Sequence, residues 1–204
     1  MKCSTIYSGD RPKTAIGSIK RIEEQTDGKQ MSISSYRYSG DRTVLSYEEM
    51  NGYCNRAIKL NPNCKLTLIL MQVNDMEDYM KNEGSGFVQD LLQSVQDTVR
   101  RHVGHRGIVC PLQPNLMSVV VQDINSDIKL RAFIESLRSR IAWNYRLIDP
   151  KYEISFSFGV ACYPENGMDM RIVHRKLVKA LQMAQEKHAN CYVIYKEHLH
   201  GELS

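Results

Sequence analysis

Residues 66–73 read LTLILMQV, an almost unbroken apolar run. A strand with one wet face alternates apolar and polar residues. A strand that is apolar at nearly every position must be covered on both faces. The run is far short of the roughly 18 residues that a membrane span requires, and Gln72 and Asn74 end it. It therefore predicts a buried core strand, and the rest of the chain must supply the layers that cover it.

The flanking sequence supplies them. Ser46 followed by Glu49 makes a capping box that opens a helix toward Leu60, and the Asn61-Pro62-Asn63 stretch stops it. A short helix is expected over Met76 to Lys81, with Asp75 as its cap, then a break at Gly84-Ser85-Gly86. Phe87, Leu91, Leu92, Val95 and Val99 have helical spacing up to His102. Ile108 to Leu112 and Leu116 to Val121 flank Gln113-Pro114-Asn115 and read as a β-hairpin. Ser126 caps a helix carrying Ile128, Leu130, Phe133, Ile134, Leu137 and Ile141. A long strand over Glu153 to Tyr163, a helix over Ile172 to Glu186 and a last strand over Cys191 to Tyr195 complete the order. Helices and strands that alternate in this way form an α/β layered fold around a central sheet, and the hairpin makes that sheet mixed.

Composition narrows the function classes. The formal net charge is +4, from 27 basic and 23 acidic residues, too small an excess to argue for nucleic acid without a matching motif. The densest basic stretch is Arg100, Arg101, His102, His105 and Arg106, which reads as a solvated helix end. The six cysteines include no C-x-x-C pair, so a zinc ribbon or redox motif is unsupported. Cys110, Cys162 and Cys191 fall in apolar strands and read as small buried thiols. His198 and His200 read as part of a frayed tail. The N-terminus has no apolar signal-peptide core, and the expected location is cytoplasmic.

Several segments carry a family resemblance. SFGVACYPENG, Ser157 to Gly167, resembles the S-I-G-[IV]-A-x-Y-P-x-x-G strand and loop of the GGDEF (diguanylate cyclase) family. NCYVIY, Asn190 to Tyr195, resembles that family's last strand after G-R-N. LTLILMQVNDM resembles its first core strand, and TVLSYEEM, Thr43 to Met50, its opening helix. The resemblance spans about residues 40 to 200 and implies a nucleotidyl-cyclase-like α+β fold: a mixed five-stranded central sheet surrounded by helices, with a central β-hairpin. The activity it implies is synthesis of cyclic di-GMP from two GTP molecules.

At the positions that the resemblance marks as functional, this chain departs. The family hairpin reads GG[DE]EF, with glycines that let backbone N–H groups approach phosphate and an acid that holds magnesium. Here it reads Gln113-Pro114-Asn115-Leu116-Met117. Pro114 has no N–H to donate, and Leu116 can neither move a proton nor hold a metal. The two acids of the first strand become Gln72 and Asn74. Phosphoryl transfer needs cations to spread developing charge, and those cations need carboxylates. The guanine-reading positions hold Met80 and Gln89; Gly84 matches, whereas Ser85 replaces the usual histidine. In A-K-x-x-G-R-N only Ala184 and Asn190 match, and Lys187 is displaced. The product-binding R-x-x-D falls on Gly104 and Gly107, with Arg101 and Arg106 out of phase.

The expectation is a degenerate GGDEF domain over residues 39–204, with no catalytic residue, no metal and no cofactor, acting as a regulatory, dimerisation or interaction module. Its partner would be another protein or covalently linked signalling domains, and a homodimer is an open alternative. Residues 1–38 read as an extension or linker, in which Gly9 to Gln25 resembles the last strand and exit helix of a PAS domain. Another reading is a GTP-sensing regulator, with Lys81, Lys187 and His188 supplying charge for a nucleotide ligand. A further one is an active cyclase with an altered site, using the amide oxygens of Gln72 and Asn115. Nucleic-acid binding ranks last, since no strand carries the aromatic K/R-G-F-x-F motif. No membrane insertion of this segment is expected.

Overall fold

The computed structural model describes residues 46–122, 124, 126–146, 154–187 and 190–201. The 1–38 extension, its Gly9–Gln25 stretch and His188 lie outside the described residues. In chain order the elements are α1 (Tyr47–Leu60), β1 (Leu66–Val73), α2 (Met76–Val103), a 3-10 turn (Gly104–Arg106), β2 (Gly107–Gln113) and β3 (Leu116–Gln122). Then follow α3 (Asp127–Arg146), β4 (Phe156–Tyr163), α4 (Met170–Glu186), β5 (Cys191–Ile194) and α5 (Glu197–His200).

The strands form one five-stranded sheet in the order β2-β3-β1-β4-β5. β1 runs antiparallel to both β3 and β4, β2 antiparallel to β3, and β4 parallel to β5. The hairpin is central in the sequence and supplies the two strands at one side of the sheet. Its outer strand tolerates Pro111 because an edge strand need not donate every N–H.

The apolar run in β1 is explained by burial on both faces. Ile69, Met71 and Val73 join the cluster under α2 and α3, with Phe156, Phe158 and Val160 of β4. Leu66, Leu68 and Leu70 join the opposite cluster under α1 and α4, with Met50, Cys54, Leu177 and Ala184. Each fully buried Leu, Ile or Phe contributes about 1.5–3 kcal/mol over an exposed one, so the two clusters dominate the stability of the fold. Burial pushes the Cys110 thiol up to about 12 and the Cys54 thiol up to about 11, which keeps both protonated and unreactive. Among the described residues no helix is long and apolar enough to cross a membrane.

Local signals behave as their chemistry requires at most ends. The Ser46–Glu49 capping box is formed, with Ser46 N donating to Glu49 Oε2 at 2.9 Å. Gly84, with φ 83 and ψ 175, breaks the helical geometry inside α2, so the expected short and long helices meet there at a kink. Asp75 stands at the expected first position of α2, but its backbone is left-handed (φ 56, ψ 26) and its side chain makes no cap. Its carbonyl alone accepts from Asp78 N and Tyr79 N, both at 3.1 Å. The β4 strand begins at Phe156, with Ile154 and Ser155 ahead of it outside the strand; Glu153, the expected start, lies outside the described residues. The tail, read from sequence as frayed, forms α5. His200 Nδ1 accepts from Lys196 N at 2.9 Å, and Glu197 pairs at 3.0 Å with the buried Lys176 of α4.

Candidate functional site

The open end of the sheet is where β1 finishes, the β2–β3 hairpin turns and β4 begins. Gln72 is level with Leu116 of β3 on one side and Ser157 of β4 on the other. By strand alternation its side chain shares the α1/α4 side of the sheet with Leu66, Leu68 and Leu70. There Gln185 of α4 donates to Gln72 Oε1 at 2.6 Å. The amide pair bridges strand and helix without any charge.

The hairpin turn is Pro114-Asn115, tied to the end of β1 twice. Val73 N donates to the Asn115 carbonyl at 2.9 Å, and Asn115 Nδ2 donates to the Val73 carbonyl at 3.1 Å. Asn74 is held from the other side: its backbone N donates to the Ser155 carbonyl at 2.9 Å and its Nδ2 to Ser155 Oγ at 2.9 Å. The Ser157 hydroxyl lies 3.2 Å from Asn74 Oδ1. Thus Gln72, Asn74 and Asn115 converge on one edge, and each is engaged by a neutral partner. None of the three can move a proton or carry negative charge near neutral pH. The nearest acids in sequence, Asp75, Glu77 and Asp78, are exposed at the start of α2. Among the described residues, no group of three or more His, Cys, Asp or Glu side chains converges to hold a metal ion.

The family model for the diguanylate cyclase GGDEF domain matches residues 47–191, which spans α1 through the first residue of β5. The chain belongs to the GGDEF family. Its fold is shared with the active GGEEF domain of a diguanylate cyclase from Vibrio cholerae, at TM-score 0.65 and 13% identity over 76% of this chain and 99% of that one. A diguanylate cyclase/phosphodiesterase from Caldicellulosiruptor saccharolyticus gives TM-score 0.64 and 19% identity over 75% and 89% of the two chains. A GGDEF domain from Caulobacter crescentus, solved in complex with c-di-GMP, gives TM-score 0.61 and 12% identity over 78% and 98%. Among curated proteins no sequence is significantly similar to the chain.

Within this GGDEF domain the other residues singled out in the sequence are spread along α2 and α4. Met80, Lys81, Ser85 and Gln89 are exposed on α2, and a side chain at Gly84 or Gly86 would meet nothing within 4 Å. Lys187 is exposed just past α4. Gly104 and Gly107 both have structural reasons to be glycine. Gly104 ends α2 with φ 54 and ψ −141. A Cβ at Gly107 would lie 2.1 Å from the Val120 carbonyl oxygen, so β3 leaves no room there for an aspartate.

Gly159 and Asn190, which match the family's motifs, and Asn166, at an open position of one of them, have packing or backbone roles. Gly159 lets α4 approach β4. Asn166 Oδ1 accepts from Cys162 N at 2.7 Å, and its Nδ2 donates to the Tyr195 carbonyl at 3.3 Å. Asn190 is left-handed (φ 57), and its Oδ1 accepts from Phe156 N at 3.0 Å. Two features escaped the sequence reading. One is the Gln72–Gln185 bridge, whose partners lie 113 residues apart. The other is the setting of the basic stretch. It ends α2 as expected, but His102 packs against Phe133 of α3 at 4.6 Å between ring centroids. The periodic Phe133–Ile134–Leu137 pattern on α3 was the available signal that a second helix covers this end.

Proposed function

We propose that this GGDEF domain is a non-catalytic signalling module that acts by contact with a protein partner or a covalently linked domain. The observation that carries the reading is the neutral amide edge: Gln72 bound to Gln185, with Asn115 and Asn74 tied into the strand ends. These donors do not suit magnesium, because amide oxygens bring no charge and those of Gln72 and Asn74 already accept hydrogen bonds. Pro114 removes a backbone donor from the turn, and Leu116 puts an aliphatic side chain beside it. Phosphoryl transfer depends on charge neutralisation, and the side chains of Gln72, Asn74, Asn115 and Leu116 do not supply it.

The test is direct. The purified chain is incubated with GTP and magnesium or manganese, and cyclic di-GMP is measured by chromatography. No product is expected; steady production would overturn the reading. A second reading, a GTP-binding regulator without turnover, is favoured by Lys81 and Lys187. Both are exposed, and neither pairs with a carboxylate among the described residues. A rise in melting temperature with GTP would support it, since a ligand of the folded state stabilises by mass action. Residues 1–38 serve in this proposal as a linker, with the PAS-like stretch as the end of an input domain.

A further inference from the structure

A cavity lies away from the amide edge. It is a groove of about 920 Å³ between the end of α2 and the face of α3. A second hollow of about 560 Å³ continues it and shares Arg101, His102, Ser136 and Arg140 with it. Arg101, Arg106, Lys129 and Arg140 bring four fixed positive charges to the two walls, and no carboxylate stands among the residues that line either hollow.

The cations have no carboxylate partner among the described residues. Arg101 reaches only the Thr98 hydroxyl at 3.4 Å, and Arg106 the His102 carbonyl at 3.0 Å. Two other arginines on the same helices are paired: Arg100 with Asp97, and Arg138 with Glu135 at 3.1 Å. The groove therefore concentrates unneutralised like charge, which disfavours the free fold and favours an anionic occupant.

The shape selects among anions. Lys129, Phe133, Ser136, Arg140 and Trp143 recur along one face of α3, and Lys129 to Trp143 spans about 21 Å at the helical rise. That length suits an extended chain better than a single phosphate group. Single-stranded nucleic acid would need a row of free aromatic faces. Phe133 is already covered by His102 and by Arg106, whose guanidinium carbon sits 5.6 Å from the ring centroid. Tyr53, on the wall of the first hollow, is half-buried with its hydroxyl bound to Gln122, and Trp143, two-thirds exposed at the far end, offers an open ring. It suits one apolar side chain of a peptide.

We infer that the α2–α3 groove docks an acidic segment of a protein partner, with carboxylates on Arg101, Arg106, Lys129 and Arg140 and an apolar side chain on Trp143. The inference rests on the reading of this domain as an interaction module and gives that module its surface.

Trp143 is the chain's one tryptophan, so its fluorescence reports on the groove. The full chain is titrated with a fluorescently labelled peptide of alternating Asp and Glu ending in Leu, with its Asn/Gln counterpart, and with a single-stranded oligonucleotide of equal charge. The acidic peptide is expected to bind, to change Trp143 emission and to weaken as salt rises. The double variant R101Q/R140Q should weaken it by roughly tenfold or more, since charge-assisted pairs are lost at both walls. Lys59→Gln, on α1, should leave it unchanged. Both variants alter exposed side chains, and circular dichroism melts confirm folding. Equal binding of acidic and neutral peptides, tighter binding of the oligonucleotide, or indifference to R101Q/R140Q would each overturn the inference. The cyclase assay is scored separately. Product formation with peptide binding intact refutes only the non-catalytic reading, and loss of peptide binding without product refutes only the groove.

Discussion

Gly159→Ala probes how closely α4 is seated on β4. A Cβ at Gly159 would lie 2.3 Å from Leu181 N, 2.7 Å from Leu177 O and 2.7 Å from Leu181 Cα. All three are backbone atoms, so no rotamer change can make room. Ordinary contact begins near 3.4 Å, and the helix would have to retreat by about 1 Å. Retreat loosens Val173, Leu177, Ala180 and Ala184, all fully buried in the same cluster. Overpacking of this kind costs about 1–3 kcal/mol, whereas alanine's smaller unfolded-state entropy returns only about 0.4–1 kcal/mol. The contacts are backbone-to-backbone, so the upper half of the range applies, and the net loss should be about 2 kcal/mol. That corresponds to a melting temperature lower by roughly 4–8 °C. Urea denaturation followed by far-UV circular dichroism measures it. Gly86→Ala is the matched control, because its Cβ meets nothing within 4 Å inside α2. It should raise stability by about 0.5–1 kcal/mol. A Gly159→Ala variant as stable as the parent would refute the close seating of α4.

Two further outcomes follow from buried polar groups. Ser118 Oγ is buried with no hydrogen-bond partner, so Ser118→Ala should be neutral or stabilising by up to about 1 kcal/mol; a loss larger than that in urea denaturation would reveal a partner. His174 is half-buried with its Nε2 inaccessible and unpartnered, its ring edge-on to Tyr47 at 5.4 Å, and burial lowers its pKa. Burial also leads the lowering at His102 and His200. A base whose folded pKa lies below its unfolded value of about 6.5 takes up its proton more readily when unfolded, so its share of stability is complete above that pH and is lost as pH falls toward the folded pKa. The urea midpoint should drop between about pH 7 and about pH 5, and His174→Phe should shrink the drop. An equal drop in parent and variant would refute the assignment to His174.

The fold was largely legible because its signals are local or periodic. The Ser46–Glu49 box, the LTLILMQV run and the Gln113–Asn115 punctuation each determine a nearby backbone conformation, and the elements formed there. What the sequence concealed was distance and setting. Asp75 has the composition of a helix cap, but a left-handed backbone takes its side chain away from the N–H groups. The His198–His200 tail has no periodicity to announce a helix, and the partner that fixes it, Lys176, lies on α4. At the site, the amide identities of Gln72, Asn74 and Asn115 were plain, but their mutual hydrogen bonds depend on β1, β3, β4 and α4 coming together. The basic stretch was read from one helix, while the groove it lines needs the cations of a second, Lys129 and Arg140.

The residues that match the family pattern and those that depart from it divide along a physical line. Gly159, Ala184 and Asn190 each hold a backbone or a tight contact, and losing any of them would disturb the sheet itself. Gln72, Asn74 and Asn115 stand at the sheet's end, where an acid could be exchanged for an amide of similar size without moving a strand. The exchange changes the local field as well as the ligands. The neutral side chains of Gln72, Asn74 and Asn115 themselves neither attract divalent cations nor repel phosphate. The α2–α3 groove does the reverse: its charges are many, of one sign and held on two long helices. Long-range attraction is therefore centred on the groove rather than on the hairpin, and an acidic partner steered by that field arrives at the α2–α3 face.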